Sequence, residues 1–267
     1  MAGTDLAGRV FVVTGAGDGI GRAVAEALVA RGARVAGVDL REDALRETAA
    51  NVGKAGVLSV HPCDVTSREQ VERLPGAVLV EHARVDGLVN VAGIIHRFVR
   101  VADLSHEEID RVLAVNFGGV VHTTKAFLPH LLESRRATLV NVGSMGALAP
   151  FPGQAAYGAS KAAVTLFTQA LRSELAGTSV TVTVAHPGAV ATAIADNSGA
   201  HLPGMDGTAA GRLTTATAAA EQIIRGIETG APRVLIGRDA RLVDRLSRLA
   251  PTRTAALLAR RMQALLP

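Results

Sequence analysis

The sequence predicts an α/β fold with a single doubly wound parallel sheet of about seven strands and helices on both faces. Short apolar runs alternate with longer segments of helical periodicity from residue 9 to residue 236. The runs are apolar throughout, which is typical of parallel strands that are buried on both faces. No internal repeat or low-complexity linker divides the chain, and one large domain accounts for most of its 267 residues.

Each element can be placed in order along the chain. The strands are predicted at 9–14, 34–39, 57–60, 85–90, 138–143, 179–185 and 233–236. The helices are predicted at 20–30, 41–51, 68–82, 105–116, 119–132, 155–176 and 215–229. Pro75 is expected to weaken the third helix, and His186 is expected to cap the sixth strand before a turn at Pro187. The irregular segment 188–213 is long, and loops of this length in a compact domain are usually functional or disordered.

Composition excludes several classes of protein. With 48% hydrophobic and 19% charged residues, the chain is neither disordered nor fibrous. The single cysteine, Cys63, rules out an intramolecular disulfide, and the pair His61 and Cys63 lacks further ligands, so we expect no metal site. No targeting segment or unbroken apolar span is evident, and we expect a cytoplasmic protein.

The positive charge is concentrated at the end of the chain. Residues 238–261 hold seven arginines and two aspartates, whereas the whole chain has a net charge of +4. We interpret 1–238 as one folded domain and 239–267 as a basic amphipathic helical tail that is interrupted at Pro251. The high isoelectric point therefore describes the tail, and with one Tyr and no Trp for base stacking we expect no nucleic-acid binding.

The tail has an apolar helical face formed by Leu242, Val243, Leu246 and Leu249. This pattern favours packing on the same domain or on a sister subunit. Peripheral contact with an anionic membrane surface is the alternative, because leucine and arginine alternate along the tail.

A glycine-rich segment, 14–21, lies between the first strand and the first helix. Glycines there permit a tight turn and close approach to a pyrophosphate, and the helix N-terminus offers free N–H groups. Asp39 ends the second strand 18 residues after Gly21, and a carboxylate at this point can accept both ribose hydroxyls of NAD. The segment predicts a Rossmann-type site for NAD. Arg41 leaves NADP open, because an arginine can accommodate a 2′-phosphate.

A phenol and an ammonium are placed one helical turn apart by Tyr157 and Lys161. The ammonium is expected to lower the pKa of the phenol, so that Tyr157 can move a proton near neutral pH. Ser144 ends the fifth strand, on the sheet edge where the glycine-rich segment also lies, and its hydroxyl can polarise a carbonyl oxygen.

Taken together, these motifs resemble those of the short-chain dehydrogenase/reductase family, in its shorter subtype, from Ala7 to about Ile236. The match is specific because the motifs occur in order and at suitable spacing. They are 14–21, Asp39, Asp64-Val65, Asn90-Val91-Ala92-Gly93, Asn116, Ser144, Tyr157 with Lys161, and Pro187-Gly188 with Thr192. Val91 departs from the asparagine that is common at this position in the family, and the tail is a larger departure.

The resemblance implies a role for each member of a catalytic set. Tyr157 would be the general acid/base, and Lys161 would lower its pKa and bind the nicotinamide ribose. Ser144 would orient the substrate oxygen, and Asn116 would hold a water that links Lys161 to solvent. The family is commonly dimeric or tetrameric, so the resemblance also implies a homodimer or homotetramer.

The resemblance further implies the residues that bind cofactor. They are Gly15, Asp18, Gly19, Ile20, Gly21, Asp39, Asp64, Val65, Asn90, Ala92, Gly93, Tyr157, Lys161, Pro187, Gly188, Val190 and Thr192. The substrate side is expected to be mostly apolar. Its candidates are His96, Met145, Phe151, Gln154, Ile194, His201, Leu202 and Met205.

We therefore expect an NAD(H)-dependent oxidoreductase that transfers hydride between nicotinamide and a neutral, lipophilic secondary alcohol or ketone. No Arg or Lys occurs in 137–160 or 175–211, which argues against a phosphorylated substrate. An NADP(H)-dependent carbonyl or ketoacyl-type reductase is the alternative. An epimerase or dehydratase is disfavoured because no large C-terminal substrate domain follows. A non-enzymatic nucleotide-sensing protein on the same fold is the rival from another class.

Overall fold

The computed structural model describes residues 5–53, 56–200, 213–263 and 266. The strands are β1 Val10–Thr14, β2 Arg34–Asp39, β3 Leu58–Pro62, β4 Gly87–Asn90, β5 Ala137–Val142, β6 Val180–Pro187, β7 Val190–Ala191, β8 Thr214–Thr215 and β9 Arg233–Ile236. Seven of them form one parallel sheet in the order β3-β2-β1-β4-β5-β6-β9, and β7 pairs with β8 separately. The order reverses between β1 and β4, as in a Rossmann-type sheet, and the predicted fold class is confirmed.

Helices connect the strands and extend beyond the last one. They are α1 Gly19–Ala30, α2 Glu42–Val52, α3 Arg68–His82, α4 His106–Leu113, α5 Gly119–Glu133, α6 Ala155–Glu174, α7 Ile194–Asn197, α8 Ala216–Thr229, α9 Arg238–Leu249 and α10 Pro251–Met262. Several begin at polar caps: the side chains of Asp18, Ser67, Ser105 and Thr215 each accept a hydrogen bond from the first turn. Caps of this kind fix where the chain leaves each loop.

The core has two layers, because successive strand residues point to opposite faces of the sheet. Phe11 and Val13 pack in one layer, which includes residues of α1, α2 and α8. Val12 packs in the other layer, which includes residues of α3, α5 and α6. The sheet is therefore covered on both faces, and its carboxyl edge is left for the loops.

Helix α3 has the predicted bounds, 68–82, and continues through Pro75, which is buried with its neighbours Val71 and Leu74. The weakening at Pro75 stays a prediction. Two other expectations about the elements are wrong. The helices predicted at 105–116 and 119–132 are joined by a π-helical segment, Ala114–Gly118, instead of a break. His186 lies inside β6 and does not cap it, because pairing with β9 extends that strand to Pro187.

The tail forms two helices that meet at Pro251, and α9 packs partly on the domain. Asp244 of α9 accepts two hydrogen bonds from the Arg233 guanidinium, at 2.6 and 3.0 Å. The expected apolar face is only partly covered, since Leu242 is 58% and Leu249 is 84% exposed. The division of the chain at residue 238 stays a prediction. Within the described residues, no helix is both long and apolar enough to cross a membrane.

Candidate active site

The loops that follow β1 and β4 meet at the point where the strand order reverses. The Thr14 hydroxyl oxygen accepts hydrogen bonds from the N–H groups of Val91 at 3.0 Å and Ala92 at 3.2 Å. Gly15 has a φ of +69°, and a Cβ there would lie 2.9 Å from the Ala92 nitrogen. Ligands of open α/β sheets bind in the crevice at such a reversal.

The glycine-rich segment forms a backbone cradle that side chains would fill. A Cβ at Gly21 would lie 2.0 Å from the Gly15 carbonyl oxygen, and a Cβ at Gly19 would lie 3.2 Å from Cγ2 of Thr192. Gly19 has a φ of +52°, a conformation that favours glycine. The cradle opens on the N-terminus of α1, and this arrangement fits the pyrophosphate of a dinucleotide.

Asp39 supports the cradle through its carboxylate. Its oxygens accept hydrogen bonds from Gly17 N and from Arg41 N, each at 3.0 Å. The Arg41 guanidinium does not lie against Asp39 but pairs with Asp18 at 3.5 Å and donates to Asn197 Oδ1 at 3.3 Å. Arg41, the residue that made NADP an alternative cofactor, is therefore already bonded to two other side chains.

Asp18 joins the start of α1 to Arg41 and Asn197. Its carboxylate caps α1 by accepting from Gly19 N at 2.6 Å and also accepts from Asn197 Nδ2 at 2.7 Å. Burial works to raise the pKa of Asp18, but the bonds from Asn197 and Gly19, with the charges of Arg22 and Arg41, hold the pKa below its ordinary value. Sequence reasoning missed Asn197, because nothing local marks a residue that reaches across the cleft.

Tyr157, Lys161 and Ser144 come together beside the carboxyl end of β5. The Lys161 ammonium donates to the Val142 carbonyl oxygen at 3.0 Å and lies 6.0 Å from the centroid of the Tyr157 ring. The Ser144 hydroxyl oxygen accepts from Gly146 N at 3.0 Å, which leaves its own hydrogen to be donated. A Cβ at Gly146 would lie 3.4 Å from Ser144 Oγ and 3.6 Å from the Tyr157 ring, so Gly146 lies against both side chains.

The titration of this pair differs from the expectation. Burial raises the pKa of the Tyr157 phenol above its ordinary value, and a hydrogen bond with Ser144 opposes that effect. Burial also lowers the pKa of Lys161 to about 8. The direction of the phenol pKa is therefore opposite to the expectation, because burial outweighs the hydrogen bond with Ser144.

Asn116 lies in the π-helical segment and is fully buried. Its Oδ1 accepts from Ile94 N at 2.8 Å, and its Nδ2 donates to Ile94 O at 3.0 Å and to Ser160 Oγ at 2.9 Å. A Cβ at Gly93 would lie 3.1 Å from both Asn116 Oδ1 and Lys161 Nζ. Asn116 therefore lies beside Lys161, where the water relay of the catalytic set was predicted; the relay itself stays a prediction.

Asn90 belongs to a buried polar chain that crosses the centre of the sheet. Its Nδ2 donates to Asn141 Oδ1 at 2.8 Å, and its Oδ1 accepts from the Thr123 hydroxyl at 2.8 Å. Asn141 in turn donates to Thr168 Oγ1 at 2.9 Å. Sequence reasoning missed Asn141, although the pairing of Asn90 with Asn141 in register on β4 and β5 was a usable signal.

The remaining cofactor candidates lie on the same edge. Asp64 Oδ1 accepts from the N–H and the hydroxyl of Thr66 at 2.9 and 2.8 Å, and Val65 is buried. His61 binds Ser59 Oγ at 2.7 Å, and Cys63 is buried. The segment from Pro187 to Thr192 faces the glycine cradle through Thr192.

The substrate candidates are only partly brought together. Gln154 Nε2 donates to the His96 carbonyl oxygen at 3.5 Å, and the His96 ring is buried with Nδ1 2.6 Å from the Arg97 oxygen. Met145, Phe151 and Ile194 are half-buried. His201, Leu202 and Met205 lie outside the described residues. Ser198, which sequence reasoning missed, accepts from Ile95 N at 3.0 Å on the same side of the cleft.

Comparisons with known proteins show which proteins this chain is similar to. Residues 9–203 match the short chain dehydrogenase family. A putative oxidoreductase of Mycobacterium tuberculosis, SadH, is 38% identical over 252 residues, which cover 91% of each chain. A short chain dehydrogenase/reductase from Burkholderia phymatum, solved with NAD, superposes with a TM-score of 0.83 at 29% identity over 92% of this chain and 95% of that one. A 3-ketoacyl-(acyl-carrier-protein) reductase from Brucella melitensis, solved with NADH, gives 0.79 at 30% identity over 88% and 98%.

The fold and the site define an oxidoreductase built on an NAD(P)-binding Rossmann fold. The chain belongs to the short-chain dehydrogenase/reductase family.

Proposed function

We propose that the protein is an NAD(H)-dependent alcohol dehydrogenase or ketone reductase. The observation that carries the proposal is the grouping of Tyr157, Lys161, Ser144 and Asn116 on the sheet edge that also bears the glycine cradle. A bound nicotinamide supplies the hydride chemistry, and the chain supplies position and proton transfer.

The chain's own residues divide the remaining work. The Ser144 hydroxyl, held by Gly146 N, donates to the substrate oxygen and orients it. The Tyr157 phenol gives a proton to that oxygen in reduction and takes it back in oxidation. Lys161 holds a positive charge beside the phenol, and Asn116 fixes the Ile94 backbone next to Lys161.

The choice of NAD rests on Asp39 and Arg41. The Asp39 carboxylate would accept the ribose hydroxyls and repel a 2′-phosphate. Arg41 is paired with Asp18 and Asn197, which supports NAD over NADP. The substrate proposal is a neutral, lipophilic secondary alcohol or ketone, because the candidate lining residues Met145, Phe151 and Ile194 are apolar. An NADP(H)-dependent ketoacyl-type reductase is the second candidate, favoured by the likeness to the Brucella melitensis enzyme.

The tail and the assembly are part of the proposal. Arg238, Arg241, Arg245 and Arg248 are exposed beside Leu242 and Leu249, and this surface suits a sister subunit or an anionic membrane. Sedimentation with phosphatidylglycerol vesicles and measurement of the molecular mass in solution separate the two. A homodimer or homotetramer, and a cytoplasmic location, stay predictions.

The experiment that tests the function replaces Tyr157 with phenylalanine. General acid–base catalysis contributes about 100- to 10,000-fold to the rate. The kcat of Tyr157→Phe, measured on a panel of secondary alcohols with NAD, should therefore fall by at least about 100-fold. NADH binding, followed by fluorescence, should stay near the wild-type level. The control is Ser173→Ala, which removes an exposed hydroxyl from the same helix. Binding of NADH without turnover of any panel member by the wild type would favour the nucleotide-sensing rival instead.

A further inference from the structure

The segment Gly188–Thr192 is held in place from several directions. Gly188 N donates to the Ile236 carbonyl oxygen at 2.9 Å, and Thr214 N donates to the Ala189 carbonyl oxygen at 3.1 Å. At its other end Thr192 packs against Gly19 of the glycine cradle. The family resemblance implies that the backbone after Pro187 holds the carboxamide of the nicotinamide, so this segment is expected at the nicotinamide half of the cofactor.

A side chain from the tail supplies a further contact to this segment. Asp239, in the first turn of α9, accepts a hydrogen bond from Ala189 N at 2.6 Å. Asp239 and Ala189 are 50 residues apart in sequence. A bond from an N–H to a charged acceptor is worth more than one between neutral groups. The tail is thereby tied to the cofactor loop, and not only to the edge of the sheet.

Two glycines make room for the Asp239 carboxylate. A Cβ at Gly188 would lie 2.2 Å from Asp239 Oδ1, and a Cβ at Gly237 would lie 2.4 Å from the same oxygen. Gly237 also has a φ of +93°, which turns the chain from β9 into α9. Both chain segments are therefore shaped around this one carboxylate.

The other acidic residue of the tail has a different contact. Asp244 accepts from Arg233 on β9 and from Arg248 on its own helix, and neither bond reaches the cofactor loop. The two aspartates lie on one helix, five residues apart, so they form a matched pair for comparison.

We propose that Asp239 is a positioning residue for the nicotinamide half of the cofactor and acts through the Ala189 backbone. The inference rests on the proposed function. Loss of the carboxylate frees Ala189 N and loosens Gly188–Thr192, while the cradle at 15–21 and Asp39, which serve the adenosine and pyrophosphate half, keep their contacts. The effect should therefore be selective for ligands that carry nicotinamide.

The test compares two ligands on the full-length protein. NADH contains the nicotinamide, whereas ADP-ribose contains only the adenosine, pyrophosphate and ribose part. Asp239→Ala should raise the Kd for NADH about tenfold, the loss expected for one charge-assisted hydrogen bond, and leave the Kd for ADP-ribose unchanged. Asp239→Asn keeps an acceptor oxygen, so it should raise the Kd for NADH only about threefold and leave the Kd for ADP-ribose unchanged. This variant provides the test if Asp239→Ala does not fold. Asp244→Asn should change neither Kd.

A second variant tests the contact itself. Gly188→Ala places a methyl group against the Asp239 carboxylate and should weaken NADH binding in the same selective way. Gly188→Ala combined with Asp239→Ala should be no worse than Asp239→Ala alone, because the obstructing carboxylate is gone.

The inference would be overturned if both Asp239 variants bound NADH and ADP-ribose equally more weakly than the wild type. It would also be overturned if neither Kd changed in either variant. Additive effects of Gly188→Ala and Asp239→Ala would do so as well. Failure of the wild type to bind NADH would instead count against the proposed function, so the two failures are distinguishable.

Discussion

Lys161 donates its hydrogen bond to the carbonyl oxygen of Val142, at 3.0 Å, and not to the phenol one turn before it on α6. Lys161 is 4% exposed, and burial lowers the pKa of its ammonium to about 8 from an ordinary value of 10.5. A buried charge held by one carbonyl is costly, and residues placed this way are commonly kept for function at the expense of stability.

The cost of that charge should appear as a pH dependence of stability. Between the folded pKa of about 8 and the unfolded value of 10.5, the unfolded chain binds more protons at Lys161, so the free energy of unfolding rises with pH in this window. Relative to Lys161→Met, the wild type should gain about 2 kcal/mol between pH 7 and pH 10, measured by urea denaturation. Lys125→Met, at an exposed lysine, is the control and should show no such window. A difference that does not change with pH would contradict the expectation.

Local patterns were enough to predict the sheet, because its strands are apolar on both faces and its helices begin at polar caps. They also located the glycine cradle and Asp39, whose spacing reflects the βαβ unit. The π-helical segment at 114–118 was not predictable in this way, since tertiary packing overrides the local signal of Gly118.

Contacts between distant segments set the limit of sequence reasoning at the site. Asn197 reaches Asp18, and Asp239 reaches Ala189, across 179 and 50 residues. No periodicity in the sequence predicts a contact between residues so far apart. The predicted direction of the Tyr157 pKa was also wrong, because it depends on how deeply the phenol is buried in the folded chain.

The preference for NAD over NADP should depend on the Asp39 carboxylate. Asp39→Ser removes the carboxylate, and with it both the charge that would repel a 2′-phosphate and the charged acceptor for the ribose hydroxyls. The ratio of kcat/KM with NAD to kcat/KM with NADP should fall about 100-fold, as expected when bonds to a charged group and a repulsion are lost together. Asp43→Ser, an exposed carboxylate in the first turn of α2, is the control and should leave the ratio unchanged. An unaltered ratio in Asp39→Ser would mean that another group selects the cofactor.

The same chemical change should have opposite effects at Gly21 and Gly76. In Gly21→Ala the new methyl group would lie 2.0 Å from the Gly15 carbonyl oxygen, so α1 and the cradle must separate. Overpacking of this kind costs about 1–3 kcal/mol, and NADH binding should weaken because the cradle is displaced. Gly76 is exposed inside α3 with nothing within 4 Å of a Cβ, so Gly76→Ala should stabilise the protein by about 0.5–1 kcal/mol through helix propensity. Urea denaturation and NADH fluorescence on both variants provide the measurement. If Gly21→Ala keeps wild-type stability and affinity, the close contact between α1 and the Gly15 carbonyl is not what shapes the cradle.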